Sequence, residues 1–302
     1  MMSLWLRLPL AAEAILLLVI SAVAVGGGTL RPAAGAAAAC AALVILNAGA
    51  VAAVYAILRL YAGSSASASG AKGLRSWRCA VGEILALFAA FVVVQPFERW
   101  WMGSDAVGRL APGRTPILLV HGYLCNRGLW WWLRRRLRAR RFAVATINLE
   151  PPLAGLDELA ARLGARLDAL LAETGAEKVM LVTHSMGGLV SRAYLQRHGA
   201  ARVAGLVTLA APHHGTKVAR LGCGRNAREM RLESAWLRRL NAGPSPLIPL
   251  ASIWSLDDEI VTPPDTSRFA GARETIVTGV GHLAMVFSPA ILARLLGELM
   301  PD

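Results

Sequence analysis

The sequence predicts a parallel α/β domain carried behind transmembrane helices. The apolar mass is piled at the front of the chain, strands and helices alternate from residue 117 onward, and nucleophilic chemistry falls at the carboxyl ends of those strands. The 302 residues have room for about two domains. With 55% hydrophobic and 17% charged residues, the chain is far more apolar than a soluble average of about 25% charged. That balance excludes disorder, a coiled coil and a small disulfide scaffold.

Leu8 to Val25 is apolar except for Glu13, and Ala33 to Leu58 runs for 26 residues without a charge. A bilayer needs about 20 such residues as helix, so both qualify as spans. Ala80 to Val94 is shorter, contains Glu83 and ends at Gln95-Pro96; it is assigned as a third span. The first stretch also fits a signal peptide, with Arg7 ahead of it and Ala22-Val23-Ala24 near its end. A second, longer run follows almost at once, which a secreted enzyme would not carry. A buried soluble helix is the bland account of that second run, but its length and Ala/Gly content suit close-packed membrane helices better.

A Ser/Ala/Gly linker near residues 61–73 separates the second and third runs, flanked by Arg59, Lys72, Arg75 and Arg78. These cations, with Arg7, should stay on the cytoplasmic side. Three spans then put everything after Pro96 outside. The expectation is a multi-pass protein of the inner (cell) membrane, with residues 1–97 as anchor and a periplasmic catalytic domain over 98–302.

Of the net charge of +13, +4 lies in residues 1–97 and +9 in the remainder. Much of the excess is Arg134, Arg135, Arg136, Arg138, Arg140 and Arg141, directly after Trp130-Trp131-Trp132. Such a run is most often a solvated helix face, and tryptophan beside arginine suits a headgroup boundary as well as it suits phosphate. With no zinc-finger, helix-turn-helix or single-strand-binding pattern, no nucleic-acid partner is expected. Cys40, Cys79, Cys125 and Cys223 show no metal-ligand spacing, so neither metal nor cofactor is expected, and a Cys125–Cys223 disulfide stays open.

After the turn-rich Ala111–Pro116, Ile117 to Val120 reads as a buried strand ending in His121-Gly122-Tyr123. A helix (Leu129 to Arg140), a strand (Phe142 to Ile147) and a helix (Leu156 to Thr174) follow, the last with leucines at helical spacing. Lys178 to Thr183 is the next strand, His184-Ser185-Met186-Gly187-Gly188 leads into a helix to His198, and Val203 to Leu209 is again a strand. Leu247 to Leu256 and Ile276 to Val280 complete the set. Repeated alternation of this kind means a parallel sheet covered on both faces.

In such sheets the reactive site lies at the carboxyl ends of the strands, where Ser185 falls. A serine on a sharp strand-to-helix turn projects its hydroxyl outward, and small residues two before and two after permit the turn. Gly187 meets that need; Thr183 does not, so G-x-S-x-G is broken at its first glycine. The bland account is a helix start with Ser185 as capping hydroxyl. Chain order weighs against it, because the hydrolase arrangement runs Ser, acid, His. Only His282 lies beyond both Ser185 and the next strongly placed acids; His121, His184 and His198 fail by order or position, and His213 and His214 precede the acids. Asp258, in D-x-x-V-x-P at a strand end, is the acid of choice, with Asp257 its confusable neighbour and Asp265 a distant third.

Leu119-Val-His-Gly-Tyr-Leu-Cys-Asn126, Thr183 to Gly188, Ala211-Pro-His-His-Gly-Thr216, Ser255 to Val261 and Gly281-His282 together resemble bacterial triacylglycerol lipases and esterases of the α/β-hydrolase superfamily. The resemblance covers roughly residues 112 to 298 and leaves the apolar front unaccounted for. It implies the α/β-hydrolase fold, Ser185 as nucleophile, His282 as general base, Asp258 as orienting carboxylate, and an oxyanion hole from the backbone N–H groups of Tyr123 and Met186. It implies a lipid or other carboxylic ester as substrate, cleaved through an acyl-enzyme, with the membrane as partner. Thioesterase, amidase and acyltransferase chemistry stay open, since the elbow is blind to the leaving group, as does a non-catalytic membrane or transport scaffold.

Residues 216–246 form an insertion between core strands. In it Leu232, Trp236 and Leu240, with Leu237 alongside, make an amphipathic stripe against Arg228, Arg231, Arg238 and Arg239. This is either a helix docked on the core or a cap over the acyl site.

Overall fold

A computed structural model of the chain describes residues 1–29, 31–63 and 74–300. Most of the expected linker, residues 64–73, lies outside the described residues, as does the cation Lys72. Two long helices come first, α1 (Met2–Gly26) and α2 (Pro32–Ala62). They form an antiparallel hairpin: Asn47 donates its side-chain N–H to Glu13 at 2.8 Å, and a Cβ on Gly35 would sit 2.6 Å from Ser21 Oγ. The lone acid of α1 thereby gains a polar partner, and the small residues let the backbones approach closely. The start of α1 rests on the rest of the molecule. The Met1 ammonium is 2.6 Å from Glu150 Oε1, and Arg7 Nε donates to the Pro96 carbonyl.

Among the described residues, three helices are long and apolar enough to cross a membrane by length and composition, Met2–Gly26, Pro32–Ala62 and Trp77–Val94. They differ in surroundings. The apolar windows of the first two have no buried share, whereas a third of the last is buried within the protein. This last stretch comprises α3 (Leu74–Phe88) and a π-helical run, Ala89–Val94. It turns Trp77, Val81 and Leu85 outward while Glu83, Leu87, Ala90 and Val94 are buried. Just beyond, the backbone N–H of Asn126 donates to Gln95 Oε1 at 2.7 Å, and Asn126 Nδ2 donates to the Gln95 carbonyl at 2.9 Å. Contacts of the sheet-bearing part therefore reach back across residue 97, to Gln95 and, through the amides of Leu283 and Ala284, to Glu83.

After the short helix α4 (Glu98–Met102), six strands build one parallel sheet: β1 (Ile117–Val120), β2 (Val144–Thr146), β3 (Val179–His184), β4 (Val203–Leu209), β5 (Leu250–Ser255) and β6 (Arg273–Val277). Their order is β2-β1-β3-β4-β5-β6, so the chain runs outward from β1 to β2 and then crosses back to β3. The reversal leaves a crevice beyond the carboxyl ends of β1 and β3, paired up to Val120 and Thr183. Alternate strand residues feed two cores. Leu118, Val120, Leu181 and Leu206 pack under α6 (Leu156–Thr174) and α7 (Met186–His198). Leu119, Val182, Val207 and Ile253 pack under α5 (Trp131–Ala139) and α10 (Pro289–Leu299).

The expected limits of β1, β4, α6 and the end of α7 coincide with those observed. The second strand is confined to Val144–Thr146, and the last lies at Arg273–Val277, ahead of the expected Ile276 to Val280. As an edge strand it carries charge and leaves Ile276 exposed, so an apolar run is a poor marker for it. In the insertion, α8 (Gly224–Glu229) precedes α9 (Ala235–Ala242), whose Trp236, Leu237 and Leu240 are buried in the core beside α7. The amphipathic stripe is thus a docking face. All four cysteines are unpaired, including Cys125 and Cys223.

Leu156, Leu159, Leu163, Leu167 and Leu170 of α6 are fully buried, which fastens this helix to the sheet. Leu163→Ala is expected to cost about 2–5 kcal/mol, as transfer and cavity terms add. Denaturant unfolding of the full-length protein in detergent checks it.

Candidate active site

Ser185 sits between β3 and α7 with φ 54° and ψ −126°, a left-handed conformation that a serine holds only where its surroundings impose it. Its N–H donates to the Leu209 carbonyl at 2.9 Å, and its own carbonyl accepts from Gly188 N at 3.0 Å. Space for the turn comes from glycine. A Cβ at Gly187 would lie 2.4 Å from the Val120 carbonyl oxygen, and one at Gly122 would lie 2.9 Å from Ser185 Cβ. Thr183, the departure from the glycine pattern, fits as a buried strand residue whose hydroxyl donates to Val207 O at 3.3 Å. Beside it Gly188 carries no side chain; a Cβ there would strike Ala211 Cβ at 2.5 Å.

Asp258 and His282 are buried together, with His282 Nδ1 2.8 Å from Asp258 Oδ2. The other carboxylate oxygen accepts the N–H groups of Ile260 at 2.8 Å and Val261 at 2.7 Å, so the acid is fixed from two directions. Burial pushes the His282 imidazole down, but the Asp258 charge, its hydrogen bond and Glu83 beyond outweigh that, and the pKa is raised above the ordinary value. Of the rival acids, Asp257 accepts the Gly279 N–H at 2.5 Å and steadies the loop to His282, while Asp265 is exposed at the start of a 3-10 turn.

Ser185 and His282 open on one cavity of about 390 Å³, together with Gly122, Tyr123, Cys125 and Cys223. No hydrogen bond joins the Ser185 hydroxyl to the imidazole among the described residues, leaving the hydroxyl free to face the cavity. The backbone N–H of Tyr123 and that of Met186, the first residue of α7, are likewise unpaired among the described residues. Most of the rest of the wall is apolar, with His184 and Thr216 as polar members. Val54 and Leu58 come from α2, Leu87 and Phe91 from α3 and its extension, and Val218 and Leu221 from the insertion. A larger hollow of about 500 Å³ near Arg192 and His214 contains none of the residues of this constellation.

Two histidines passed over as bases have positions here. His184 Nε2–H donates to the His282 carbonyl at 3.1 Å, and the two rings lie 4.6 Å apart. Burial, and then the neighbouring His282, hold its pKa well below the usual value, so it stays neutral. His121 accepts the Leu149 N–H at Nε2 (3.0 Å) and donates from Nδ1 to Gly122 O (2.9 Å), with burial lowering its pKa to about 4. Motif position alone could have flagged both as props of the adjoining loops. Among the described residues no cluster of His, Cys, Asp and Glu could hold a metal.

A family model described as alpha/beta hydrolase fold matches residues 115–222, a stretch that holds Tyr123, Ser185 and Met186 and stops short of Asp258 and His282. Two curated relatives are triacylglycerol lipases. The one from Burkholderia plantarii is 32% identical over 122 residues, 38% of this chain and 34% of that protein. The one from Pseudarthrobacter phenanthrenivorans is 32% identical over 117 residues, 36% of each. The chain thus spans about a third of the length of these relatives. Among solved structures, the mature lipase BlEst2 of Bacillus licheniformis superposes with a TM-score of 0.56 at 19% identity, covering 63% of this chain and 93% of that one. Lipase B of Aspergillus fumigatus gives 0.53 at 19%, covering 63% and 53%. At these identities the structural likeness establishes the fold.

Asp258→Asn removes the charge that raises the imidazole, and proton binding at His282 should weaken about tenfold or more. Histidine-selective NMR titration of the full-length protein measures this directly.

Proposed function

We propose that this protein, with its α/β-hydrolase fold, is a member of the α/β-hydrolase superfamily and a membrane-anchored serine hydrolase cleaving carboxylic esters with lipid acyl chains. The observation that carries the reading is the buried Asp258–His282 pair, 2.8 Å apart, opening with the strained Ser185 on a single apolar cavity. In this reading His282 Nε2 takes the Ser185 proton as Oγ attacks the ester carbonyl. Asp258 holds the Nδ1–H tautomer and stabilises the imidazolium. The Tyr123 and Met186 N–H groups receive the oxyanion, a contribution of roughly 3 kcal/mol per donor. The imidazolium then protonates the departing alcohol. Water, deprotonated by the same imidazole, cleaves the acyl-Ser185 ester and releases the acid.

The preference for a lipid acyl group is supported by the apolar wall of the cavity and by the likeness to triacylglycerol lipases. Val54 and Leu58 belong to α2, whose exposed apolar surface would lie in the bilayer, so an acyl chain could pass along that helix to the serine. Near the base of the hairpin Trp100 and Trp101 are exposed, and Arg135 and Arg136 stack on Trp131 and Trp132 at 5.7 and 5.4 Å. That composition suits lipid headgroups.

A fluorophosphonate probe should label the full-length protein, and Ser185→Ala should abolish both labelling and p-nitrophenyl ester hydrolysis. Because the base must be neutral, kcat/KM should rise with pH through an apparent pKa above the ordinary histidine value of about 6.5. An acyl series from two to sixteen carbons should favour the longer chains; hydrolysis that persists in Ser185→Ala would refute the assignment.

For the side of the membrane, three crossings put the catalytic part on the periplasmic face, but they require α3 to cross the bilayer. Its docking favours a two-span hairpin with both ends on one side. Arg7 near the start of α1, Arg59 near the end of α2 and Arg78 in α3 lie towards that end, and the positive-inside rule then makes it cytoplasmic. A fluorescent protein fused at residue 302 should glow and alkaline phosphatase fused there should be inactive. The opposite pair of results would restore the periplasmic, three-span arrangement.

A further inference from the structure

Glu83 interrupts the apolar run Ala80–Val94 and is fully buried. A carboxylate in such a place is stable only if hydrogen-bonded. Its Oε1 accepts the N–H of Leu283 at 2.7 Å and its Oε2 the N–H of Ala284 at 2.8 Å, the two amides immediately after His282. These bonds join residues 200 positions apart and tie α3 to the turn that carries the imidazole.

Glu259, next to Asp258, is also buried and shares a side-chain hydrogen bond with Glu83. Two carboxyls in contact need a proton between them. Burial, followed by the charges of Glu83 and Asp258, pushes the Glu259 carboxyl well above its usual range, so Glu259 holds the proton and donates. Burial raises the Glu83 carboxyl too, but the hydrogen bond from Glu259 and the amides of Ala284 and Leu283 all favour its charged form, so of the two Glu83 is the one placed to carry the negative charge. Gly281 leaves room for the pair: a Cβ there would lie 2.5 Å from Glu83 Oε2 and 3.0 Å from Glu259 Oε2. The His282 turn is thus gripped twice, by His184 on the His282 carbonyl and by Glu83 on the next two amides.

We propose that Glu83, with protonated Glu259 behind it, is a positioning residue for His282, which makes the apolar helix α3 a working part of the reaction centre. The proposal rests on the reading of His282 as general base. Glu83 makes no hydrogen bond to the imidazole. It acts by fixing the backbone that aims the ring, and by adding negative charge on the side where imidazolium develops. Titratable neighbours around the pair and the ring are Cys79 on α3, Tyr55 and Arg59 on α2, Asp257 and Asp258 after β5, and His184. Among the carboxylates, Glu83 is the one that hydrogen-bonds the amides of Leu283 and Ala284.

The test uses the full-length protein in detergent, with p-nitrophenyl ester kinetics and NMR titration of the His282 ring. Glu83→Gln keeps the size of the side chain and loses the charge and one acceptor. It should lower kcat about tenfold or more with KM changed less than about twofold, the pattern of lost aim and not of lost binding. The acid limb of kcat/KM and the ring pKa should both move to lower pH. Glu83→Asp, which keeps the charge, should leave the limb closer to its original position. Gly281→Ala alters no acid and should reproduce the kcat loss by displacing Glu83; it decides the matter if Glu83→Gln loses its cooperative thermal transition. Unchanged kcat in Glu83→Gln and Gly281→Ala, or an unmoved ring pKa in Glu83→Gln, overturns the proposal. Absence of Ser185-dependent hydrolysis in the wild type defeats instead the esterase reading, and the ring titration still reports on Glu83.

Discussion

The hydrogen bond between His282 Nδ1 and Asp258 Oδ2, 2.8 Å long and closed off from solvent, sets the terms for everything around it. An ionised carboxylate in an apolar interior must have its remaining lone pairs filled, and here the amides of Ile260 and Val261 fill them. The imidazole must in turn be aimed, so its backbone is held by His184 on one side and Glu83 on the other. Each polar group drawn in to support the pair needs support of its own, and Glu259 is the outermost member of that chain.

The same constraint explains why the apolar front of the chain is more than a tether. A helix serving only to hold a domain near a bilayer would have no reason to carry a buried acid. α3 carries one, and Gln95 just beyond it pins the Asn126 loop that follows the Gly122-Tyr123 turn. α2 contributes Val54 and Leu58 to the wall of the cavity. Helices able to meet lipid, and the cavity that would receive an acyl chain, are thus built from a shared set of side chains. In the proposed function, access along the hairpin needs no separate lid, and α9, which has a suitable amphipathic pattern, is committed to the core.

Strain at Ser185 follows from crowding between the end of β1 and the start of α7. Gly187 lets the helix begin almost against the Val120 carbonyl, and Gly122 gives the serine its clearance. The threonine at position 183 is harmless because it points into a site where Gly188 presents no atoms, so the turn closes without the first glycine of the pattern.

What the sequence determined by itself was local or periodic. Leucine spacing marked α6, apolar runs marked β1 and β4, and an elbow pattern, a strand-end setting and chain order pointed in turn to Ser185, Asp258 and His282 as candidates. The edge strand β6 escaped because an edge need not be apolar, and α9 was ambiguous because a docking face and a lipid-facing cap share one pattern. Glu83 offered a signal, an acid alone in an apolar stretch, but not its meaning. Only the tertiary structure decided that this acid meets Leu283, Ala284 and Glu259, and that α2 and α3 wall the cavity. The physical reason is range: periodicity reports how a segment relates to an apolar environment, whereas a hydrogen bond across 200 residues depends on where folding sets two distant backbones side by side.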